Sequence, residues 1–388
     1  MNDPIVRIAA RGDGVSAAGK HVAFAVPGDL LVEDGTLIRG PGHQDAPCRH
    51  FPECGGCQLQ HLTDAAYADY CRSRVYGALS QQGIETLVRD PYLSPPRSRR
   101  RGTLRFVRAE GRIMLGFNAA ATNRVIDLAH CHILRSELFN LLKPLRVMIG
   151  KLGGRAGEVQ LTLTNHGVDV ALKGVKTDGL EAIEALTDFC ETHRLARLSI
   201  DEGYGPEPRY EPRPVTISFG QTAVPLPIGA FLQATADGEA TLVAAVAEAV
   251  GDTVKPIDLF AGLGAFALSL RGKVTAAEAS RDAILSLKRA APHIDAQHRD
   301  LYRRPYDVAE LAAYDSAVLD PPRSGAEEQV KQLASSDIAR IAYVSCNPAT
   351  FARDAAILVA GGYTLDWVQP VGQFRWSTHV ELASAFSR

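Results

Sequence analysis

The sequence predicts an α/β protein built from three parts. Residues 221–388 alternate short apolar strands with helices, the pattern of a mostly parallel sheet covered by helices. The residues before them resemble hairpins with interspersed helices, which is typical of an α+β unit. We therefore expect a short β segment at 1–45, a central α+β domain at 46–220 and a Rossmann-like domain at 221–388.

The first part is small. Residues 4–33 alternate two β-like runs, 5–9 and 22–26, with Gly-Asp-Gly and Pro-Gly-Asp turns. Short strands joined by such turns predict a small barrel. Because the segment is too short for a full domain, we expect a fragment of one.

A cysteine cluster follows. Cys48, Cys54 and Cys57 fall within ten positions, and two glycines in the turn let three thiolates converge on one centre. The remaining cysteines other than Cys131 belong to helices or to another motif, so Cys131 is the expected fourth ligand. Four thiolates can hold a structural zinc or an iron–sulfur cluster, and the spacing leaves both open. Nearby histidines are alternative ligands: His43, His50, His61, His130 and His132.

The central part predicts a helix at 63–81 and a hairpin at 99–128 that leads to Cys131. Two strands within 157–175 are joined by an Asn-His-Gly turn, and a helix follows at 178–194. Six arginines lie between 97 and 108. A solvated edge strand would explain part of this run. However, few acidic residues accompany the arginines, which favours contact with phosphates.

Composition limits the class of protein. The 388 residues are 46% hydrophobic with a net charge of −2 and an isoelectric point near 6.6, which argues against indiscriminate polyanion binding. There is no signal-like segment at Met1 and no apolar run long enough to cross a bilayer. Seven cysteines with a thiolate-type cluster fit a reducing compartment. We expect a cytoplasmic protein without a membrane partner.

The C-terminal part contains a candidate cofactor site. A strand, a glycine turn with Gly262 and Gly264, and a helix can receive the polar part of a nucleotide-like ligand. This spacing also suits a nicotinamide dinucleotide, so a dehydrogenase is one interpretation. Glu278, at the end of the next strand and placed for ribose hydroxyls, fits either cofactor. Three further features favour S-adenosylmethionine: Asp258 before the turn, Asp300 after the third strand, and Asp320 in Asp-Pro-Pro-Arg after the fourth.

A candidate nucleophile lies at the end of another strand. The apolar run 338–344 leads into Ser-Cys346-Asn-Pro, which puts Cys346 at the edge where open α/β sheets bind substrates. Glu381, at the start of a final strand, offers a carboxylate. A thiol nucleophile, a methyl donor and a base are the parts needed to methylate C5 of a pyrimidine, because C5 is unreactive until C6 is attacked.

Four motifs together resemble the RNA uracil-5-methyltransferase family over nearly the whole chain: Asp-Leu-Phe-Ala-Gly-Leu-Gly (258–264), Leu-Asp-Pro-Pro-Arg (319–323), Val-Ser-Cys-Asn-Pro-Ala-Thr (344–350) and His-Val-Glu-Leu (379–382). The cysteine pattern resembles the subgroup that holds a [4Fe-4S] cluster and methylates uridines of 23S ribosomal RNA. The resemblance implies a class I methyltransferase domain and an N-terminal TRAM barrel, shortened here.

The resemblance also implies residue roles. Cys346 would be the nucleophile and Glu381 the base that removes the C5 proton. The positions that match S-adenosylmethionine contacts are Gln233, Phe260, Glu278, Asp300 and Asp320, with the glycine turn. Two family asparagines are replaced, by Thr235 and Ala265. We expect a monomer that binds loop or single-stranded RNA; the alternatives are transfer-RNA uracil methylation and a non-catalytic iron–sulfur RNA-binding protein.

Overall fold

The computed structural model describes residues 2–388. Its strands are β1 Asp3–Ile8, β2 Gly14–Ser16, β3 His21–Val22, β4 Leu30–Leu31, β5 Leu37–Ile38, β6 Leu87–Val88, β7 Tyr92–Leu93, β8 Arg101–Ala109, β9 Arg112–Gly116, β10 Ala156–Thr164, β11 Gly167–Lys173, β12 Arg197–Asp201, β13 Pro206–Tyr210, β14 Thr216–Phe219, β15 Thr222–Pro225, β16 Pro256–Leu259, β17 Thr275–Glu278, β18 Asp295–His298, β19 Ser316–Leu319, β20 Arg340–Ser345, β21 Thr364–Gly372 and β22 Glu381–Ser387. Its helices are α1 Asp64–Ser80, α2 Ser136–Asn140, α3 Leu142–Lys151, α4 Leu180–Thr192, α5 Ala236–Val250, α6 Arg281–Ala290, α7 Val308–Leu311, α8 Glu327–Ala334 and α9 Pro348–Ala360.

The N-terminal residues form a small antiparallel sheet in the order β3-β2-β1-β4-β5. Its strands are short, so side-chain hydrogen bonds hold its connections. Buried Asp29 accepts from the backbone N–H groups of Val26 and Gly40 and bonds the His43 ring at 2.7 Å. The expected β segment is therefore present.

The central sheet has the order β13-β12-β11-β10-β8-β9. The hairpin β10–β11 turns at Asn165 and His166, with Thr164 paired to Gly167, as the Asn-His-Gly pattern predicts. Its apolar side chains share one core with those of α2, α3 and α4.

The C-terminal sheet carries five parallel strands in the order β18-β17-β16-β19-β20. Strand β22 pairs antiparallel with β20, and β21 pairs antiparallel with β22. Because the parallel strands run the same way, their carboxyl ends meet at one edge. That edge holds the motifs singled out in the sequence.

The packing departs from the expected boundary at 46–220. Strands β6 and β7 pair with β21 at the edge of the C-terminal sheet. The buried face of α1, including Tyr67 and Val75, joins the same core as Phe351 of α9. Residues 64–93 thus pack with the C-terminal sheet, because the apolar face of α1 finds its partners there.

A buried ion pair ties the central sheet to the C-terminal part. The Arg100 guanidinium donates to Glu239 of α5 at 2.5 Å and to the Gln233 carbonyl at 3.1 Å. Both residues are more than 90% buried. Within residues 2–388, no helix combines the length and apolar character needed to cross a bilayer.

We predict that Arg100→Met lowers the free energy of unfolding by about 3–5 kcal/mol, because Glu239 is left as a buried charge without its partner. Urea unfolding monitored by circular dichroism measures the change. The double variant Arg100→Met/Glu239→Leu should recover most of the loss.

Arg105→Met is the matched control. Its partner Glu158, at 2.6 Å, is partly exposed, so the variant should cost less than about 1 kcal/mol. Equal losses at Arg100 and Arg105 would contradict the assignment of Arg100 as the buried tie.

Candidate active site

A cleft with an empty volume of about 1730 Å³ opens at the carboxyl edge of the C-terminal sheet. Most of the residues predicted from the sequence line it: Gln233, Phe260, Gly262, Glu278, Asp300, Asp320, Cys346 and Glu381. Gly264 is absent from the lining. The edge of the sheet therefore brings the cofactor candidates and the reaction candidates into one cleft.

The glycine turn explains why Gly264 lies elsewhere. Gly264 has φ +88°, and a Cβ there would lie 2.6 Å from the side chain of Leu287 on α6. Its role in the structure is close packing of the turn against the helix. Gly262, at φ +54°, faces open space and donates its N–H to Glu278 at 3.0 Å.

Acidic side chains at the strand ends hold the surrounding backbone. Glu278 also accepts from the Ser280 N–H at 2.7 Å, and Asp300 accepts from the Tyr302 N–H at 3.0 Å. The ring of Tyr302 lies 5.6 Å from that of Phe260, which makes one wall of the cleft aromatic. Asp258 faces inward, where its carboxylate accepts the Ala267 N–H at 2.8 Å.

Three acidic groups meet at the inner end of the cleft. Burial raises the pKa of Cys346 to about 11, and the nearby Glu381 and Asp320 add to the rise, while Arg323 opposes it. Burial and then Asp320 raise the pKa of Glu381 to about 8, and burial raises the pKa of Asp320 to about 7. At neutral pH this pocket therefore retains protons that exposed carboxyl groups would release.

A second, polar cleft of about 1840 Å³ adjoins the first, and Arg323 lines both. Its walls come from every part of the chain. They include Arg11 of the N-terminal part and Gln58 of the cysteine segment, residues 47–62, together with Arg99, Arg101, residues 117–123, Phe374 and His379. Arg99 lies over the Phe374 ring at 5.5 Å, and Arg101 lies over Phe231 at 4.6 Å. Cationic and aromatic side chains thus line the approach to Cys346.

The arginine run divides into two sets. Three of its arginines bind other groups of the protein: buried Arg100 to Glu239, partly exposed Arg105 to Glu158, and Arg108 to carbonyls at the end of α3. Arg99 and Arg101 line the polar cleft, and Arg97 lines a pocket beside Cys131. Phosphate contact is therefore open to half of the run.

The four candidate metal ligands surround one small cavity. Cys48, Cys54, Cys57 and Cys131 line an empty volume of about 300 Å³, and each is a free thiol. Burial, with smaller contributions from the other three cysteines, raises the pKa of Cys57 to about 12, so the four sulfurs are neighbours. Among residues 2–388, no group of three His, Cys, Asp or Glu side chains is arranged to hold a metal ion.

The histidines take different places. His130 and His132 line the cysteine cavity. His50 accepts the Ala129 N–H at 3.1 Å, and His43 bonds Asp29. His61 stacks on Phe51 at 5.7 Å.

Sequence reasoning missed Gln373, a buried residue that lies behind the cleft wall at Gln233. Its side chain bonds Gln233, which in turn donates to Asp320 at 3.2 Å. The available signal was a glutamine at the end of an apolar strand that pairs with the strand of Glu381. Thr235 bonds Ser94 and caps α5, while Ala265 lines the cleft.

Comparison with known proteins identifies the family. The family model described as tRNA (Uracil-5-)-methyltransferase matches residues 295–388. An uncharacterized RNA methyltransferase of Zymomonas mobilis is 45% identical over 393 residues, covering 99% of both chains. The 23S rRNA (uracil(1939)-C(5))-methyltransferase of Chromohalobacter salexigens is 33% identical over 366 residues, covering 89% of this chain and 76% of that protein.

A solved structure shares the fold. The tRNA (uracil-54, C5)-methyltransferase of Pyrococcus abyssi, in complex with S-adenosyl-L-homocysteine, matches with a TM-score of 0.75 and 22% identity over 100% of this chain and 99% of that one. The expected α/β fold with a C-terminal methyltransferase domain is confirmed, and the N-terminal sheet is consistent with a TRAM-like segment. The chain belongs to the RNA uracil-5-methyltransferase family. It is an S-adenosylmethionine-dependent enzyme.

We predict that Glu381→Gln stabilises the protein at pH 9 by about 1–2 kcal/mol. The folded pKa of about 8 lies above the ordinary value of 4.5, so the stability that Glu381 provides is lost as pH rises through 8. Near pH 5 the two proteins should differ little. Urea unfolding at both pH values measures this.

Exposed Glu207 on β13 provides the control, because Glu207→Gln should leave stability unchanged at both pH values. A stabilisation by Glu381→Gln that is equal at pH 5 and pH 9 would show that ionisation of Glu381 is not its cause.

Proposed function

We propose that this enzyme methylates C5 of a uridine in 23S ribosomal RNA, with Cys346 as nucleophile and Glu381 as base. One observation carries the proposal: Cys346, Glu381 and Asp320 lie together where the polar cleft meets the cofactor cleft. The relative that acts on 23S ribosomal RNA supports the choice of substrate.

The chemistry follows from the unreactive C5 atom. The Cys346 thiolate adds to C6, and the electron pair of the C5–C6 bond moves towards O4, so that C5 becomes nucleophilic. When bound, S-adenosylmethionine supplies the methyl group that C5 takes. Glu381 then removes the C5 proton, the C5–C6 double bond re-forms, and Cys346 leaves.

The environment suits the two roles unequally. Glu381, with a pKa of about 8, must first lose its own proton, and its carboxylate is then a stronger base for the C5 proton than an exposed carboxylate. The thiol of Cys346 is protonated at neutral pH, and the positive charge of Arg323 favours its thiolate. Proton loss from Cys346 must therefore precede attack on C6.

The cofactor would lie along the sheet edge. Glu278 uses its carboxylate for two backbone N–H groups and keeps acceptor capacity for ribose hydroxyls. Phe260, Asp300, Gln233 and Asp320 complete the proposed contacts around the turn at Gly262.

The target base must leave its stack to reach Cys346, so a loop or single-stranded uridine fits best. Arg99, Arg101 and Arg323 are placed to contact phosphates on the way in, and Phe374 offers a surface for base stacking.

We also propose that Cys48, Cys54, Cys57 and Cys131 hold a [4Fe-4S] cluster. Four cysteine thiolates are the usual ligands of such a cluster, and these four free thiols line one cavity. Arg99 lies close enough to Cys57 and Cys131 for its positive charge to offset their negative charge. When bound, the cluster would supply iron–thiolate bonds that link residues 48–57 to Cys131.

Transfer RNA is the second candidate substrate, favoured by the description of the matching family model. A non-catalytic RNA-binding role is less well supported, because Cys346, Glu381 and Asp320 are all present in one cleft.

We predict that Cys346→Ala abolishes methylation, with a loss of at least about 10³-fold, because C5 cannot be activated without the attack on C6. Nucleoside mass spectrometry should detect 5-methyluridine in 23S ribosomal RNA from cells with the native enzyme and lose it with the variant. S-adenosylmethionine titration should show that the variant still binds its cofactor.

Cys190→Ala, which removes a buried thiol outside the cleft, should keep full activity. Methylation of transfer RNA alone would replace the proposed substrate by the second candidate. Normal turnover by Cys346→Ala would refute the mechanism.

We predict that protein purified without oxygen contains about four iron and about four sulfide per chain. Cys131→Ser should lose most of both, whereas Cys190→Ser should keep them. Stoichiometric zinc without iron, measured by elemental analysis, would exclude the cluster.

A further inference from the structure

We propose that Gln373 is a positioning residue that aligns Gln233, Asp320 and Glu381 through one hydrogen-bond relay. The inference rests on the proposed role of Glu381 as the base. Gln373 is 1% exposed and directly follows β21.

Strand pairing places Gln373 beside Glu381. Val371 of β21 pairs with Glu381 of β22, and paired residues project to the same face. Since side chains alternate along a strand, Gln373 lies on that face two residues further on. The helix α5 permits the approach, because a Cβ on Gly238 would lie 2.7 Å from the Gln373 Cβ.

The relay has one direction, and a backbone group sets it. The Ala234 N–H can only donate, so the Gln373 Oε1 atom accepts it, at 2.9 Å. The Gln373 Nε2 group must then donate, and it does so to the Gln233 Oε1 atom at 2.6 Å. The Gln233 Nε2 group is thereby turned towards the Asp320 carboxylate.

The same amide lies near the base. Val371, two residues before Gln373, pairs with Glu381, and the Gln373 amide lowers the pKa of Glu381 against the larger effect of burial. A primary amide has two N–H donors, so the one that is not used for Gln233 is available to the Glu381 carboxylate. A single side chain therefore fixes both the wall of the cofactor cleft and the carboxylate proposed to take the C5 proton.

Other side chains would break the relay. A glutamate at 373 has no N–H for Gln233 or Glu381 at neutral pH, and a methionine has neither donor nor a strong acceptor for the Ala234 N–H. Both are close to glutamine in size, so they test the hydrogen bonds more than the packing.

The test is the fate of the covalent intermediate. If Gln373 aligns the base, Gln373→Met and Gln373→Glu should still add Cys346 to the uridine and methylate it, but lose the C5 proton slowly. A protein–RNA adduct stable in detergent should then accumulate on electrophoresis, and turnover should fall about 10- to 100-fold. Glu381→Gln sets the adduct level expected for complete loss of the base.

Gln369→Met is the matched control, because Gln369 lies on the same strand but bonds the Asp90 carbonyl away from the cleft. It should show native turnover and no adduct. If Glu381→Gln traps adduct while both Gln373 variants behave as native, the positioning role is wrong and the proposed function stands. If Gln373 variants lose turnover without extra adduct, the residue is merely structural, and the inference is overturned. If Glu381→Gln turns over normally, the proposed mechanism itself fails.

Discussion

The site depends on how the loop between β21 and β22, residues 373–380, is held. The backbone N–H groups of Gln58 and Leu59 both donate to the Trp376 carbonyl, at 2.8 and 2.9 Å. The buried Tyr67 hydroxyl donates to the Phe374 carbonyl at 3.1 Å. Because Glu381 directly follows this loop, the cysteine segment and α1 fix the position of the proposed base from outside its own sheet.

The support of this loop offsets the cost of burying three acidic groups side by side. Cys346, Glu381 and Asp320 lie close together, and burial raises the pKa of each. Such a grouping lowers stability at high pH, but it supplies a stronger base where one is needed. Positive charge reaches this group from Arg101, near Glu381, and from Arg323, near Cys346, and both arginines also line the polar cleft. Arg323 can therefore face an RNA phosphate and the reacting thiol.

Short sequence motifs predicted which residues meet at the candidate site, because the carboxyl ends of parallel strands lie at one edge of the sheet regardless of how the other domains pack. The sequence also placed Cys131 with the other three cysteines, which line one cavity. Non-local packing was beyond such reasoning. No periodicity indicates that α1 packs on α9, that Arg100 pairs with Glu239, or that Gln373 bonds the Ala234 N–H. Each of these contacts joins segments far apart in the chain.

The short N-terminal sheet also contacts the region where the β21–β22 loop is held. A Cβ at Gly12 would lie 3.4 Å from Leu59 and 3.5 Å from Thr378, so this glycine packs where the cysteine segment meets the β21–β22 loop. Arg11 beside it lines the polar cleft. This short sheet thus completes a cleft whose other walls come from the rest of the chain. The three parts of the sequence are therefore one functional unit, because the loop before Glu381 is held where they meet.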